Sequence, residues 1–454
     1  MTPRLPAAGA AVHLVGAGGA GMRGLAVLLD HRGYRVTGCD RAPDRLTDLR
    51  DRGIRVETGH DAAHVEGMAA VIRSSAVPPD SPEIRAAVDA GIPVLRRAAA
   101  LGAALNGGPL AGIAGTHGKT TITAMTGYAC EAAGLDPTVM VGGHVGVWGG
   151  FARTGAGPAI VEADEYDRSF LELHPTVALV SSLEAEHLDI YGDFEGVRSA
   201  FTEFAGRADG GAGLIYCTDD EGARALGESL PGARAYGFDA GADYRIGSVS
   251  APTGWRVEWA DGAVDLHLRV HGRHNAQNAA GALAVAMALG ADPVEAARGL
   301  ASFPGVGRRL EILAIGGRLT IVDDYAHHPT EVAASIEALR AAFPGAFLEV
   351  VFQPHLYTRT RDFAAEFAVA LAAADRAHVL PIYPAREEPI EGVSSALITV
   401  GAADHVAPID RDAALALVEG PPPDASRVVA YMGAGDVTGI AHEAAGRAAG
   451  RRSE

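Results

Sequence analysis

"GIAGTHGKTT", residues 112–121, decides how the chain folds around its chemistry. The apolar run "LAGIAG" reads as a buried strand, and "KTTITAMTGYACEAAG" reads as a helix. Gly112, Gly115 and Gly118 lie around the turn between them. Glycines there let backbone N–H groups approach phosphate oxygens, and the helix mouth adds a favourable dipole. Lys119 is the single lysine of 454 residues, every other basic side chain being arginine. A compact ammonium suits a triphosphate better than a planar guanidinium does, and the hydroxyl of Thr120 is placed to ligate Mg²⁺. An ordinary strand–turn–helix corner accounts for the glycines but not for the lone lysine. The common phosphate loop has a glycine where Ile113 stands, so the match is to a variant of it.

Upstream, "AAVHLVGAGGAGMRGLAVLLDHRGYRVTGCD" reads as strand, glycine turn, helix, strand. Gly16, Gly18 and Gly21 fit G-x-G-x-x-G, and Asp40 ends the next strand, as in a dinucleotide site. This turn alone leaves a nicotinamide dinucleotide and the pyrophosphate of a UDP-sugar equally open. "GMAAVIRSSAVP" and "GIPVLRR" continue as strands around the helix "SPEIRAAVDA", and "ALGAALNGGP" reads as a connector.

Downstream, "VEADEYD" (161–167) and "SSLEAEHLDIYG" (181–192) put Glu162, Asp164, Glu165, His187 and Asp189 at successive strand ends. Doubly wound sheets bind ligands at that edge, and carboxylates with an imidazole beside a Lys-Thr loop suit a Mg²⁺ shell. "GRHNAQN" (272–278) opens a helix with His274, Asn275 and Asn278, residue types that serve equally as adenine partners or helix caps. Residues 233–272 read as antiparallel strands appended to this block. "GVGRRLE" carries Arg308 and Arg309 into a third block, where "DDYAHHPTE" (323–331) and "FQPHLYTRT" (352–360) end apolar strands. These supply Asp323, Asp324, Tyr325, His327, His328, His355 and Arg359.

Apolar strands alternating with helices predict three consecutive α/β domains. They are a Rossmann-like domain at 1–107, a phosphate-loop domain with a mostly parallel sheet plus a small antiparallel sheet at 108–311, and a Rossmann-like domain at 312–454. Acidic residues (56) outnumber basic ones (38), and the net charge of −18 argues against nucleic-acid or anionic-membrane partners. No apolar run is long enough for a membrane span, and the first strand runs into a glycine turn rather than a cleavage site. Cys39, Cys130 and Cys217 are odd in number and far apart, which suggests a reducing compartment and no zinc site.

The strings GAGGAG, GTHGKTT, EADEYDRSFL, EHLDIYG, GRHNAQN, GVGRRLE, DDYAHHPTE, FQPHLYTRT and GAGDV, in this order over nearly the whole chain, resemble the Mur ligase family. They are most similar to the members that add L-alanine to UDP-N-acetylmuramate. The resemblance implies ATP-dependent amide formation through an acyl phosphate, in peptidoglycan synthesis, by a cytoplasmic monomer or weak homodimer. It implies nucleotide contacts from Gly115, Thr116, His117, Gly118, Lys119, Thr120, Thr121, His274, Asn278, Arg309, Asp323 and Tyr325. Mg²⁺ would be held by Thr120, Glu162 and His187. Gly18, Gly19, Gly21, Met22, Ser74 and Ser75 would cradle the UDP pyrophosphate. Tyr325, His327 and Arg359 would border the alanine pocket, with His355 among the substrate-binding residues and Lys119, Glu162, His187, His327 and Arg359 counted as the catalytic set. Later ligases of the family bridge metals with a carbamylated lysine, and no second lysine exists here. Tyr166, Glu186 and Leu356 depart from the usual first-step pattern, and Tyr166 also occurs in the sister ligase that reattaches a recycled tripeptide. "FQPHLYTRT" points to alanine rather than tripeptide.

Overall fold

The computed structural model describes residues 4–249, 254–385, 387–419 and 425–450. The first sheet holds β1 (Ala11–Val15), β2 (Arg35–Asp40), β3 (Arg55–Thr58), β4 (Ala70–Arg73) and β5 (Val94–Arg96), in the all-parallel order β3-β2-β1-β4-β5. Every residue of β1 is buried, as expected of a central parallel strand covered on both faces. Its helices are α1 (Ala20–His31), α2 (Thr47–Asp51), α3 (Pro82–Asp89) and α4 (Arg97–Leu105). Helix α4 corrects the connector reading of 100–109. Its alanines and leucines bury Ala98, Leu101 and Leu105, and only Asn106 onward breaks the pattern.

The second sheet has ten strands: β6 (Leu110–Ala114), β7 (Thr138–Val145), β8 (Gly150–Arg153), β9 (Ala159–Glu162), β10 (Val177–Val180), β11 (Leu214–Cys217), β12 (Arg234–Gly237), β13 (Tyr244–Ser248), β14 (Gly254–Trp259) and β15 (Gly262–His267). Their order is β15-β14-β13-β12-β11-β10-β6-β9-β7-β8. Helices α5 (Lys119–Ala132), α6 (Leu188–Tyr191), α7 (Phe194–Gly206), α8 (Glu221–Glu228), α9 (Arg273–Ala288) and α10 (Pro293–Ser302) accompany it. Ile113 pairs with Glu162 and Ala114 with Val180, so the loops after β6, β9 and β10 leave the sheet side by side. The antiparallel reading of 233–272 holds for β13, β14 and β15 among themselves. It fails at β12, which pairs in parallel with both β11 and β13. Buried Ala235 and Tyr236 carry the core pattern on into β12, whereas β14 and β15 keep one wet face.

The third sheet runs β16-β17-β21-β18-β19-β20. Its strands are β16 (Glu311–Gly316), β17 (Leu319–Asp324), β18 (Phe347–Phe352), β19 (Arg376–Val379), β20 (Val406–Pro408) and β21 (Arg427–Met432), with only β16 antiparallel. Helices α11 (Pro329–Ala342), α12 (Tyr357–Leu371), α13 (Ala396–Thr399), α14 (Arg411–Ala416) and α15 (Val437–Gly450) belong with it. One core cluster centres on Phe352, Phe367 and Leu371, and another on Val351, Tyr431 and Val437. By its contacts the chain forms two compact units. One comprises Met1–Arg269 with Ala276–Pro304, and the other Val270–Asn275 with Gly305–Glu454.

Candidate active site

In the first unit the phosphate loop closes against the end of β10. Gly115 sits at φ +138°, and a Cβ there would fall 2.1 Å from Ser181 Oγ, so only glycine lets the two loops touch. His117 N–H donates to Ser182 Oγ at 2.8 Å, and Glu184 N–H donates to Thr116 Oγ1 at 2.9 Å. Gly118, at φ +82°, caps α5, and Asn278 Oδ1 lies beside it. Thr121 follows in the first turn of α5.

The Lys119 ammonium donates to the carbonyls of Gly115 and Thr116 and, at 2.8 Å, to Glu165 Oε1. Burial pushes the Glu165 carboxyl up to about 7 against the pull of Lys119, while the carboxylates around Lys119 hold its ammonium charged despite burial. Glu165 Oε2 is buried without a hydrogen-bond partner. Thr120 Oγ1 donates to Glu162 Oε1 at 2.9 Å, and Gly142 N–H donates to the other oxygen of Glu162 at 2.6 Å. His187, left-handed at φ 55° and capping α6, brings Nε2 to 4.0 Å from both Glu165 Oε1 and Glu186 Oε2. Tyr166 packs edge-on against the His187 ring at 5.3 Å.

The sequence-predicted metal residues therefore fall into two neighbouring groups. Thr120 meets Glu162, whereas the donors that converge on His187 are Glu165 and Glu186. A Thr–Glu oxygen pair 2.9 Å apart matches the edge of an oxygen octahedron with Mg²⁺–O distances of about 2.0–2.1 Å. Glu165, whose Oε2 is buried without a partner, adds a further oxygen donor on the His187 side, and these oxygen donors fit that ion. Glu186 at this position was legible only as a departure from the family string.

The other glycine turn lies in the same unit. Gly16 and Ala17 N–H groups donate to Cys39 O, and Gly18 N–H donates to Asp40 Oδ2 at 2.8 Å. Asp40 Oδ1 accepts from Ala42 N–H at 3.0 Å. The acid that a dinucleotide site directs at a ribose is here spent on its own turn, against the dehydrogenase reading. Gly19 caps α1, and Met22 is buried in the core, so a pyrophosphate would meet its backbone and not its side chain. Ser74 packs beside Gly16, and Ser75 is exposed. Sequence reasoning missed Arg97. Its guanidinium lies against Gly21, and it faces Asp164 at 3.6 Å. The paired arginines of "GIPVLRR" were the available signal.

In the second unit, Asp323 is fully buried at the end of β17, and its Oδ2 accepts from Thr438 at 2.6 Å while Oδ1 has no partner. Burial raises its pKa. Arg308 donates to the carbonyls of Gly433 and Gly435. Arg308 and Arg309 lie over the Tyr325 ring at 4.7 and 5.1 Å, so both guanidiniums pack on one aromatic ring. His327 Nδ1 is 2.9 Å from Tyr325 O and 3.1 Å from Glu331, and its ring is 6.0 Å from that of His355. His355 stacks on Tyr383, and Leu356 turns the chain at φ 72° into α12, which carries Arg359 one turn in. Burial, then the Arg309 charge, lowers His274 from 6.5 to about 4, so its ring is neutral.

Three family models match in succession: "Mur ligase family, catalytic domain" over 11–108, "Mur ligase middle domain" over 113–286, and "Mur ligase, glutamate ligase domain" over 308–435. A UDP-N-acetylmuramate–L-alanine ligase of Kineococcus radiotolerans is 46% identical, covering 85% of this chain and 84% of its own length. That of Streptomyces coelicolor is 43% identical over 97% and 98%. The crystal structure of UDP-N-acetylmuramate-alanine ligase from Thermotoga maritima matches with a TM-score of 0.80 at 27% identity, covering 98% and 99%. A murein peptide ligase of Psychrobacter arcticus shares the fold at 22% identity and TM-score 0.72.

Proposed function

This chain belongs to the Mur ligase family, and from that premise we propose that it joins L-alanine to the carboxylate of UDP-N-acetylmuramate with cleavage of ATP. The observation that carries the reading is the phosphate loop, where the lone Lys119 and the Thr120–Glu162 pair sit at three adjoining strand ends. The relatives at 43% and 46% identity are both UDP-N-acetylmuramate–L-alanine ligases, matched over most of their length.

In the reaction, the muramate carboxylate attacks the γ-phosphorus, the bond to the β-phosphate oxygen breaks, and ADP leaves. The alanine amine then attacks the acyl carbon and gives up a proton. The tetrahedral intermediate collapses, breaking the C–O bond and releasing phosphate. Lys119 holds the β and γ phosphates, with the first-turn N–H groups of α5, which have no intrahelical acceptor. Thr120, Glu162 and His187, with Glu165 alongside, would hold Mg²⁺, which would neutralise charge on the phosphoryl oxygens. His274 and Asn278 face adenine, Arg309, Asp323 and Tyr325 face the phosphates and ribose, and His327, His355 and Arg359 border the alanine. Gly18, Gly19, Gly21, Met22, Ser74 and Ser75 cradle the UDP pyrophosphate, joined by Arg97. Positioning and fixed charge supply most of the rate.

The same reading places the chain in the cytoplasm as a monomer or weak homodimer, without nucleic-acid or membrane partners. The charge of −18 argues against nucleic-acid and anionic-membrane partners. Among the described residues no helix is long and apolar enough to cross a membrane. The test is ADP release with ATP, Mg²⁺ and UDP-N-acetylmuramate across L-alanine, glycine, L-serine and the tripeptide. Release highest with L-alanine supports the reading. Release confined to the tripeptide would transfer the chain to the recycling reaction.

A further inference from the structure

Five side chains meet beneath the first glycine turn, away from the phosphate loop. His13 comes from β1, Cys39 from β2, His60 and His64 from the segment between β3 and β4, and Glu83 from the first turn of α3. Cys39 and Glu83 are fully buried and His13 is 1% exposed. His13 Nε2 is 3.4 Å from Cys39 Sγ, which is 3.5 Å from His60 Nδ1 and 3.1 Å from Glu83 Oε1. Glu83 Oε1 is also 3.0 Å from His60 Nδ1 and 3.3 Å from His64 Nδ1. A tetrahedral Zn²⁺ with bonds of about 2.0–2.3 Å to N, O and S has donor-to-donor edges of about 3.3–3.6 Å. The observed spacings lie within a few tenths of an ångström of those edges.

Hydrogen bonding alone balances this cluster badly. Cys39, His60, His64 and the Asp61 N–H all aim at one oxygen of Glu83, while the other, Oε2, is buried without a partner. A carboxylate offers about two lone-pair sites per oxygen. A cation among the donors relieves that crowding. Outer contacts are also in place, since His13 Nδ1 meets Thr37 Oγ1 at 2.8 Å, which turns Nε2 towards the sulfur.

We propose that His13, Cys39, Glu83 and one of the pair His60 and His64 form a structural zinc site. The thiolate and imidazole donors select zinc over Mg²⁺, and binding releases the Cys39 thiol proton to solvent. The cysteine count alone argued against zinc. The parallel sheet brings together donors that the sequence spreads over 70 positions. The site braces the glycine turn, because Cys39 O accepts the Gly16 and Ala17 N–H groups at 2.9 Å and the adjoining Asp40 holds Gly18. None of this rests on the ligase reading.

The full chain, purified with reductant from zinc-supplemented cells and dialysed against metal-free buffer, is assayed for zinc by atomic emission. Zinc-stripped protein is titrated with Co²⁺ and watched for a thiolate-to-cobalt charge-transfer band. The proposal expects one zinc per chain and a band that survives in Cys130→Ala/Cys217→Ala and is lost in Cys39→Ser. Zinc content in Glu83→Gln should fall by about tenfold or more. Wild-type protein that keeps no zinc and develops no band overturns the proposal, whatever the variants do. So does Co²⁺ bound without a thiolate band, or a band that persists in Cys39→Ser.

Discussion

Lys119→Arg keeps a positive charge beside Glu165 and is still expected to lose about two to three orders of magnitude in kcat/KM. The ammonium has three acceptors around one point, the carbonyls of Gly115 and Thr116 and Glu165 Oε1 at 2.8 Å, with its side chain only 14% exposed. A planar fork cannot meet that arrangement and also reach a phosphate. Losing one fixed donor to the developing charge is worth about 3–4 kcal/mol, or about 10²–10³ in rate. Because the charge remains, Tm should stay within a few degrees of wild type. Lys119→Met is different. It leaves a 5%-exposed carboxylate without its cation, a change that costs about 3–5 kcal/mol when the group stays ionised. Glu165 already titrates near 7, so protonation softens the loss at low pH and the instability grows as pH rises. The double variant Lys119→Met/Glu165→Gln should recover Tm but not turnover. ADP release at saturating substrates and thermal unfolding at pH 6 and 8 read both effects. Lys119→Arg turning over within about fivefold of wild type would refute the phosphate role.

Gly115→Ala should weaken ATP binding about tenfold or more, because its Cβ would strike Ser181 Oγ at a φ of +138°, a strain of about 1–3 kcal/mol, read as KM for ATP. His274 carries a pH signature. Its folded value lies below its unfolded one, so it stabilises its unit above pH 6.5, and that contribution is lost as pH falls towards about 4. The size is at most about 3 kcal/mol, and His274→Gln should flatten that part of the Tm–pH curve. Leaving Mg²⁺ out of the assay should abolish ADP release while leaving thermal unfolding unchanged, and Glu162→Gln should raise the Mg²⁺ concentration needed for half-maximal rate.

The fold class was legible because its strands are continuous apolar runs such as "AVHLV" and "LAGIA", each followed by a glycine turn and a helix. The helix at 97–105 and the parallel placing of β12 were not. Alanine-rich "RAAALGAAL" carries no period to separate helix from connector, and strand direction depends on partners far along the chain. The glycine turn between β6 and α5, with Lys119 at the helix start, was legible. The partition of acids around it was not, because Glu162 and Glu165 are three residues apart and only the backbone after β9 decides that one faces Thr120 and the other Lys119. Asp40 shows the converse. Its spacing suggested a ribose contact, and its carboxylate is instead tied to Gly18 and Ala42.

The most direct test uses UDP-N-acetylmuramate labelled with heavy oxygen in its carboxylate. If that carboxylate attacks the γ-phosphorus and the amine then expels phosphate, one labelled oxygen must appear in the inorganic phosphate, and only when L-alanine is present. Phosphate released without label, or no phosphate at all with ATP, Mg²⁺ and both substrates supplied, would contradict the account.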